Sequence, residues 1–413
     1  MFSYTNKMKF YIKTLGCRVN QSESEDIAGK LAEKGLTQTK LLSLAELVII
    51  NTCTVTAVAD AKVRQFISKA SKDDSKRVIV TGCAVANEHS GLKKFKNVEF
   101  VAQESKENLA EKIASIGVKK VRQTMRSRPL LKMQDGCDNH CTYCIVPSVR
   151  GRSKSTSYSQ VMDNAKLLVE QGFKEIVLTG VDIAAYGYNK KTLADIVNDI
   201  LEIDSSFRLR LSSVEPQSIK DDLLSIFSQN DRICSHIHIP LQSGSNRILK
   251  LMNRPYAAES FLATVKEFRK IRSDIAITTD IIVGFPSESE NDFKRTLMIA
   301  KEAGFSKIHA FRYSKRPGTK AFNMPNAVSE EEKKMRAKEL SSLAGSLAAR
   351  SSKNLIGEKV QVLIEKKEGK YVRGLTSNYK VVYLKDRADK GRLFDAVIDS
   401  YKEGKLFGRL RWE

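Results

Sequence analysis

The sequence predicts an α/β chain in three parts: an N-terminal doubly wound parallel sheet, a central partial (βα)6 TIM-like barrel, and a small C-terminal β-barrel. Three observations predict it. Apolar runs alternate with amphipathic stretches over the first 120 residues. The alternation restarts near residue 130 and supplies six strand–helix units. From Gly357 onward, short alternating runs are split by glycine and charged turns. Strands that alternate with helices through short links form parallel sheets, whereas closely spaced short strands form barrels or sandwiches. The predicted limits are residues 8–120, 129–355 and 356–413, since 413 residues exceed one core of ordinary size.

In the first part, Lys9–Leu15, Leu47–Asn51 and Arg77–Thr81 read as strands, and Ser22–Lys34 and Ala57–Ser71 as amphipathic helices. A cysteine follows each strand: Cys17 in Thr14-Leu15-Gly16-Cys17, Cys53 in Asn51-Thr52-Cys53-Thr54, and Cys83 in Thr81-Gly82-Cys83. Ligands of open α/β sheets bind just beyond the carboxyl ends of the strands. Three cysteines far apart in sequence can therefore converge. Gly16 and Gly82 permit the tight turns this needs. The plainer alternative is three unrelated thiols, each a small buried hydrophobe in its own turn.

Residues 121–128 (VRQTMRSR) are basic and read as a linker. Strands of the second part are Leu130–Met133, Glu175–Thr179, Arg208–Ser213, Ser235–Leu241, Ala276–Val283 and Lys307–Tyr313, with helices such as Gln160–Gln171 and Phe261–Arg272 between them. Chemistry in such a barrel sits at the C-terminal strand ends. Ile237, Ile239 and Leu241 offer one apolar face, and His236, His238 and Gln242 a polar one that can line the lumen. Satisfied structural histidines are the alternative. Ser329-Glu330-Glu331-Glu332 opens a helix whose stripe of Leu340, Leu343, Ala344, Leu347 and Ala348 reads as core packing.

In the third part, Lys359–Ile364, Val381–Leu384 and Asp395–Tyr401 read as strands. This segment carries 14 Lys and Arg against 9 Asp and Glu. With Tyr371, Tyr379, Tyr383, Phe394 and Trp412 it can bind single-stranded or looped RNA, although core packing would also account for most of these rings.

The whole chain holds 70 Lys and Arg against 48 Asp and Glu, a formal net charge of +22. That balance points to a polyanionic partner, nucleic acid first, with a generally basic surface as the alternative. No apolar run approaches the roughly 18 residues that span a bilayer. Met1–Phe10 lacks the apolar core and cleavage site of a secretory signal. Seven cysteines, an odd number, argue against a disulfide framework and for metal or redox chemistry in a reducing cytoplasm.

The strongest motif is Cys137-Asp138-Asn139-His140-Cys141-Thr142-Tyr143-Cys144, a C-x3-C-x2-C loop directly after a strand. Three thiolates on one loop can hold three irons of a [4Fe–4S] cluster, which ordinarily takes four cysteines, and leave the fourth iron open. Zinc is the competing reading. It wants four ligands in a structural site, no fourth cysteine is near, and His140 is awkwardly adjacent to Cys141.

The extended run GCDNHCTYCIVPSVRGRSKS (Gly136–Ser155) resembles the signature of the radical S-adenosylmethionine (SAM) methylthiotransferases, and the order of the three parts is similar to that family over essentially the whole chain. The resemblance implies two [4Fe–4S] clusters, an auxiliary one on Cys17, Cys53 and Cys83 and the radical-SAM one on Cys137, Cys141 and Cys144. It implies that SAM is cleaved to a 5′-deoxyadenosyl radical, which removes hydrogen from a substrate carbon, and that methylated sulfur is then inserted. It also implies a TRAM-like, RNA-binding C-terminal domain. The runs TLGCRVNQSESE, NTCTVT, LSSVEP, PLQSGSNRILKLMNRPY and FRYSKRPGTKAFNMP resemble the branch that converts N6-threonylcarbamoyladenosine, at tRNA position 37 beside the anticodon, to its 2-methylthio form. Ser148 and His140 depart from the family pattern, at positions that carry no ligand. The rivals are the isopentenyladenosine branch, the branch that modifies a ribosomal protein, and a non-enzymatic Fe–S protein that binds RNA.

Further residues follow from this resemblance. Tyr143 can pack on the SAM adenine, or else on the barrel. Thr179 and Gly180 end a strand where the SAM amino group is expected. Glu215, Gln242 and Asp280 lie at or near later strand ends and can meet SAM or substrate. Arg150, Arg152 and Lys154 can reach RNA phosphates or lie solvated at the surface. Cys234 reads as buried and inert. The expected partners are a tRNA anticodon stem-loop, an electron donor and a sulfur source, with no membrane.

Overall fold

A computed structural model describes residues 8–92, 94, 95, 98–113, 126–385 and 387–411. Most of the expected linker (121–125), residues 114–120 of the first part and Trp412 lie outside the described residues. The chain divides into two compact units. One combines Met1–Met125 with Asp135–Arg152 and Ser314–Phe322; the other combines Arg126–Gln134, Ser153–Tyr313 and Asn323–Glu413.

The first unit is built on a five-stranded parallel sheet, in the spatial order Thr37–Gln38, Lys9–Thr14, Leu47–Thr52, Arg77–Gly82 and Glu99–Val101. Its central strand LVIINT is buried at every position, as expected of a strand covered on both faces. Side chains alternate across a strand. Val48 and Ile50 accordingly join Val63 and Ile67 in one core, while Leu47 and Ile49 join Phe10 and Leu31 in another. The predicted strands are present to within a residue or two. The first helix begins at Arg18, earlier than its amphipathic stretch suggests, so Cys17 occupies the N-cap.

In the second unit, strands Leu130–Lys132, Glu175–Thr179 and Arg208–Leu211 form one parallel sheet and His236–His238, Ala276–Val283 and Lys307–Arg312 another. Isolated parallel bridges Leu209↔Ile233 and Ser213↔His238 join them into an open six-stranded series. Ile176, Leu178, Leu209 and Leu211 point outward into the main core with the helices. The long helix Glu330–Lys353 is capped by the Ser329 hydroxyl, which accepts from the Glu332 N–H, and it packs Leu340 into that core.

The last five strands, Lys359–Glu368, Tyr371–Thr376, Val381–Leu384, Leu393–Lys402 and Lys405–Leu410, close into a barrel. Two of them, Tyr371–Thr376 and Lys405–Leu410, were not read from sequence. The turn between the last pair has two successive positive φ angles, 49° at Glu403 and 76° at Gly404, the backbone of a tight primed hairpin turn.

This small barrel sits on the N-terminal ends of the larger one. Arg208 donates to the carbonyls of Gln361 (3.1 Å) and Leu375 (2.8 Å), and Arg210 to those of Ser377 (2.9 Å) and Thr376 (3.1 Å). Both guanidiniums also hold the fully buried Glu175 carboxylate, at 2.7 Å each. Tyr379 stacks on the His236 ring at 4.5 Å and lies 5.0 Å from the Arg210 guanidinium. Tyr379 is therefore committed to packing, correcting its reading as an RNA-facing ring, and His236 takes the structural role.

Lys380, 9 % exposed, is buried beside this junction with one acceptor among the described residues, the Ser306 carbonyl at 3.3 Å. Burial, aided by the Lys307 charge, pushes its amine down to about 8. A lowered folded value means the unfolded chain binds more protons between pH 8 and about 10.5, so this site destabilises the fold at neutral pH and ceases to do so across that window. Lys380→Met is expected to raise stability at pH 7 by roughly 1–3 kcal/mol. In urea titrations the advantage should shrink between pH 8 and 10. A variant less stable than the parent at pH 7 would sink this account.

Candidate functional site

In the first unit, Cys17, Cys53 and Cys83 stand at the carboxyl ends of three adjacent strands. Two glycines make this possible. A Cβ on Gly16, where φ is +117°, would lie 2.6 Å from Cys53 Cβ; one on Gly82, where φ is +97°, would lie 2.6 Å from the Thr52 carbonyl oxygen. Cys17 is exposed, whereas Cys53 and Cys83 are buried. Burial pushes the Cys53 thiol up to about 11, with the neighbouring Cys83 and Cys17 adding to the shift, and burial raises Cys83 as well.

Asn20 braces the group. Its amide nitrogen donates to the carbonyls of Leu15 (2.9 Å) and Thr52 (2.6 Å), and its oxygen faces the Cys17 thiol at 3.6 Å. Asn51 holds Asn20 in turn, donating to its carbonyl at 2.8 Å.

The loop Cys137–Cys144 belongs to the same unit. Gly136, with φ +68°, lets it turn: a Cβ there would lie 2.0 Å from the Arg152 carbonyl oxygen. The Cys137 N–H donates to the Gly151 carbonyl at 3.2 Å, the Cys144 N–H to the Cys141 carbonyl at 3.1 Å, and the Asn139 N–H to the Cys137 sulfur at 3.4 Å. Thr142 accepts from the Ala321 N–H at 2.8 Å, which ties in segment Ser314–Phe322. In that segment Arg316 reaches buried Asp60 (2.5 Å) and Thr54 (2.9 Å). Tyr143 is half-buried.

Arg150 was read from sequence as a phosphate ligand or a solvated charge. It is neither. Its side chain, 2 % exposed, bonds Asp135 (2.8 Å), Glu23 (3.0 Å), Asn20 (2.5 Å) and the Cys83 sulfur (3.2 Å). Burial alone would lower its affinity for a proton, but Cys83, Glu23 and Asp135 together raise it. Lys106 is a second buried cation, 2.5 Å from Glu23. Arg152 stays exposed.

Among the described residues, no group of three or more His, Cys, Asp or Glu side chains is gathered closely enough for a single metal ion. A cubane cluster binds each thiolate at a separate iron and so draws its ligands less tightly together. The donor chemistry fits such a cluster: two buried thiols keep their protons chiefly because of burial, and a metal replaces those protons.

In the second unit, Thr179 ends its strand fully buried, and among the described residues neither its Oγ nor that of Ser212, just past the end of the next strand, has a hydrogen-bond partner. Gly180 is fitted tightly; a Cβ there would lie 2.9 Å from Gln134 Oε1. Glu215 is engaged by the buried Arg254 guanidinium, yet burial still pushes its carboxyl up. Gln242, with φ +61°, donates its N–H to the Asp280 carbonyl at 2.8 Å.

Asp280 lies between two imidazoles, His238 Nε2 at 3.4 Å and His309 Nδ1 at 3.3 Å. Burial would raise its carboxyl, but the two neighbouring imidazoles outweigh that and hold it well below the usual range. Thr278 Oγ lies 2.9 Å from His238 Nδ1 and 3.1 Å from His236 Nε2. The same-face residues of these strands thus form a polar wall. Orphaned buried hydroxyls at strand ends, such as Thr179 and Ser212, suit a polar ligand.

Comparisons with known proteins agree with this architecture. The Radical SAM superfamily matches residues 131–300, and the uncharacterized protein family UPF0004 matches residues 9–103. The threonylcarbamoyladenosine tRNA methylthiotransferase MtaB of Thermotoga maritima is 35% identical, over 91% of this chain and 90% of its own. The tRNA-2-methylthio-N(6)-dimethylallyladenosine synthase of Endomicrobium trichonymphae is 32% identical, over 97% of this chain and 99% of its own.

The chain belongs to the radical-SAM methylthiotransferases.

The radical SAM methyltransferase TsrM of Kitasatospora setae shares the fold, with a TM-score of 0.57 at 12% identity over 76% of this chain and 77% of that one. Membership of the radical SAM superfamily implies SAM and a [4Fe–4S] cluster. Within this methylthiotransferase, sequence reading missed Asn20, Glu23, Lys106, Arg254 and His309. Asn20 and Glu23 alone left a signal, three and six residues after Cys17 on the helix that it caps. Among the described residues no helix is long and apolar enough to cross a membrane.

Proposed function

We propose that this methylthiotransferase acts on tRNA, converting N6-threonylcarbamoyladenosine at position 37 to its 2-methylthio derivative. The sequence modules would be residues 8–120, 129–355 and 356–413. Cys137, Cys141 and Cys144 would hold the SAM-binding cluster, and Cys17, Cys53 and Cys83 a second [4Fe–4S] cluster. When bound, the first supplies reductive cleavage of SAM and the second the sulfur for transfer. Thr179 and Gly180 would receive SAM, with Tyr143, Glu215, Gln242 and Asp280 as further contacts. An electron donor and a sulfur source complete the reaction, which we place in the cytoplasm.

One observation carries the choice of nucleoside. The wall formed by His238, Asp280 and His309 is polar. A threonylcarbamoyl substituent offers amide and hydroxyl donors to such a wall, where the buried Asp280 Oδ1 makes no hydrogen bond among the described residues, whereas a dimethylallyl group is hydrocarbon and would leave that oxygen unsatisfied, at a cost of about 1–3 kcal/mol. Relatives named for either nucleoside stand at nearly the same identity, so the choice rests on residues.

RNA binding is supported by the outer face of the small barrel. Tyr371, Tyr383 and Phe407 cluster there at 5.4–6.3 Å, with Lys370 and Lys405 over the rings. Aromatic faces beside cations suit stacked bases. Phe407 was not among the rings read from sequence.

The test is nucleoside mass spectrometry of tRNA from cells lacking this protein, with and without a plasmid copy. The 2-methylthio-N6-threonylcarbamoyladenosine signal should vanish, its unthiolated precursor accumulate, and the plasmid reverse both. Loss of the dimethylallyl derivative instead would move the enzyme to the other tRNA branch. No change in either nucleoside would turn attention to ribosomal peptides.

A further inference from the structure

Arg150 ends the short helix Val146–Arg150, six residues after Cys144. Cys83, Ile145 and Val149 pack together, which fixes that helix against the Cys83 turn. Three of its four partner groups are oxygens: Asp135, Glu23 and Asn20 occupy the two terminal nitrogens. The remaining nitrogen, Nε, is aimed at the Cys83 sulfur at 3.2 Å. Asn20 Oδ1, which accepts from Arg150 Nη2, also faces the Cys17 thiol. One buried guanidinium thus touches Cys83 directly and Cys17 through Asn20. An arginine needed only to neutralise Glu23 and Asp135 has no reason to present a donor to sulfur.

We propose that Arg150 is a positioning residue of the Cys17, Cys53 and Cys83 site, and that its Nε–H···S bond and charge set the reduction potential of the cluster held there. This rests on the reading that these cysteines hold a cluster. Reduction adds an electron to the cluster and its sulfurs. A hydrogen-bond donor and a fixed positive charge at one sulfur stabilise the electron-rich state, and hydrogen bonds to the sulfurs are among the main determinants of such potentials. Because Arg150 follows the second cysteine loop in sequence, it also holds that loop in register with the strand-end cysteines.

The test uses the full chain with Cys137→Ala, Cys141→Ala and Cys144→Ala, so that only the N-terminal cysteines can load. This protein is reconstituted anaerobically with iron and sulfide and titrated with dithionite under electron paramagnetic resonance. Arg150→Lys keeps the charge and removes the Nε donor; Arg150→Met removes both. Arg150→Met combined with Glu23→Gln relieves the stranded carboxylate and keeps a neutral variant folded. Iron per chain should stay constant, while the midpoint moves to more negative potential in the Met variants and by a smaller step in the Lys variant. A midpoint unchanged or more positive at full iron content would overturn the proposal and leave the cluster reading standing. Absence of iron with Arg150 intact would remove both.

Discussion

Cys141→Ala is expected to abolish SAM cleavage, whereas Cys17→Ala is expected to abolish sulfur insertion and leave cleavage largely intact. The two cysteines belong to separate local structures, a loop pinned by Gly136 and a helix N-cap braced by Asn20. If the loop holds the proposed cluster, removing one of its three thiolates takes away a ligand that nothing nearby replaces, since His140 is adjacent to Cys141 and cannot fold back to the same iron. The expected loss of 5′-deoxyadenosine is at least about 10³-fold, or roughly 4 kcal/mol of barrier. Cys17 is the exposed member of its set and takes no part in loop geometry, so its loss should fall on the methylthiolated product alone. Both molecules are quantified by mass spectrometry after anaerobic reconstitution, with circular dichroism confirming the fold. A well-folded Cys17→Ala protein that no longer cleaves SAM would break the division of labour between the two sets.

Glu175→Gln should be the most destabilising single change away from the cysteines. The Glu175 carboxylate is fully buried between Arg208 and Arg210, with Arg128 3.6 Å away. Burial would raise its carboxyl, but the three guanidiniums hold it far below the usual range. Removing one partner from a buried ionic group costs about 3–5 kcal/mol, because the remaining charges are stranded. The arginines cannot be replaced together by apolar side chains to avoid this, since they also satisfy the carbonyls of Gln361, Leu375, Thr376 and Ser377. A depressed folded value gives stability that is full above the unfolded value and lost as pH falls. The gap between parent and variant should therefore be complete at pH 7 and narrow only below the ordinary glutamate range of about 4. Urea titration gives the difference directly. A loss under about 0.5 kcal/mol at pH 7 would show that the cluster is far better hydrated than its burial implies.

Much of this was legible in the residues, and the exceptions have physical causes. Strands Glu175–Thr179, Ala276–Val283 and Val381–Leu384 are rich in β-branched residues and match their predicted limits. Strands Tyr371–Thr376 and Lys405–Leu410 carry Gly374 and Gly408 at their centres, which read as breakers. In the folded barrel those glycines are what closure needs: a Cβ would lie 2.3 Å from Val362 Cγ1 at one and 2.4 Å from the Val397 carbonyl oxygen at the other. The six cysteines announce themselves by spacing and by strand ends. Arg150, Glu23 and Lys106 do not, because each is an ordinary charged residue until the fold brings residues 23, 106 and 150 together.

The first unit is not finished when its own sheet has been made. Segment Ser314–Phe322 belongs to it, and Arg316 is the partner of buried Asp60. On the ribosome that arginine is polymerised more than 160 residues after the cysteine loop, a delay of roughly 10–30 s at about 5–20 residues per second. During that interval the nascent chain carries a nearly complete thiol-bearing sheet in which Asp60 lacks its guanidinium partner. Residues 314–322 would therefore dock late, as a clasp on a unit whose sheet and cysteine loop have already been synthesised.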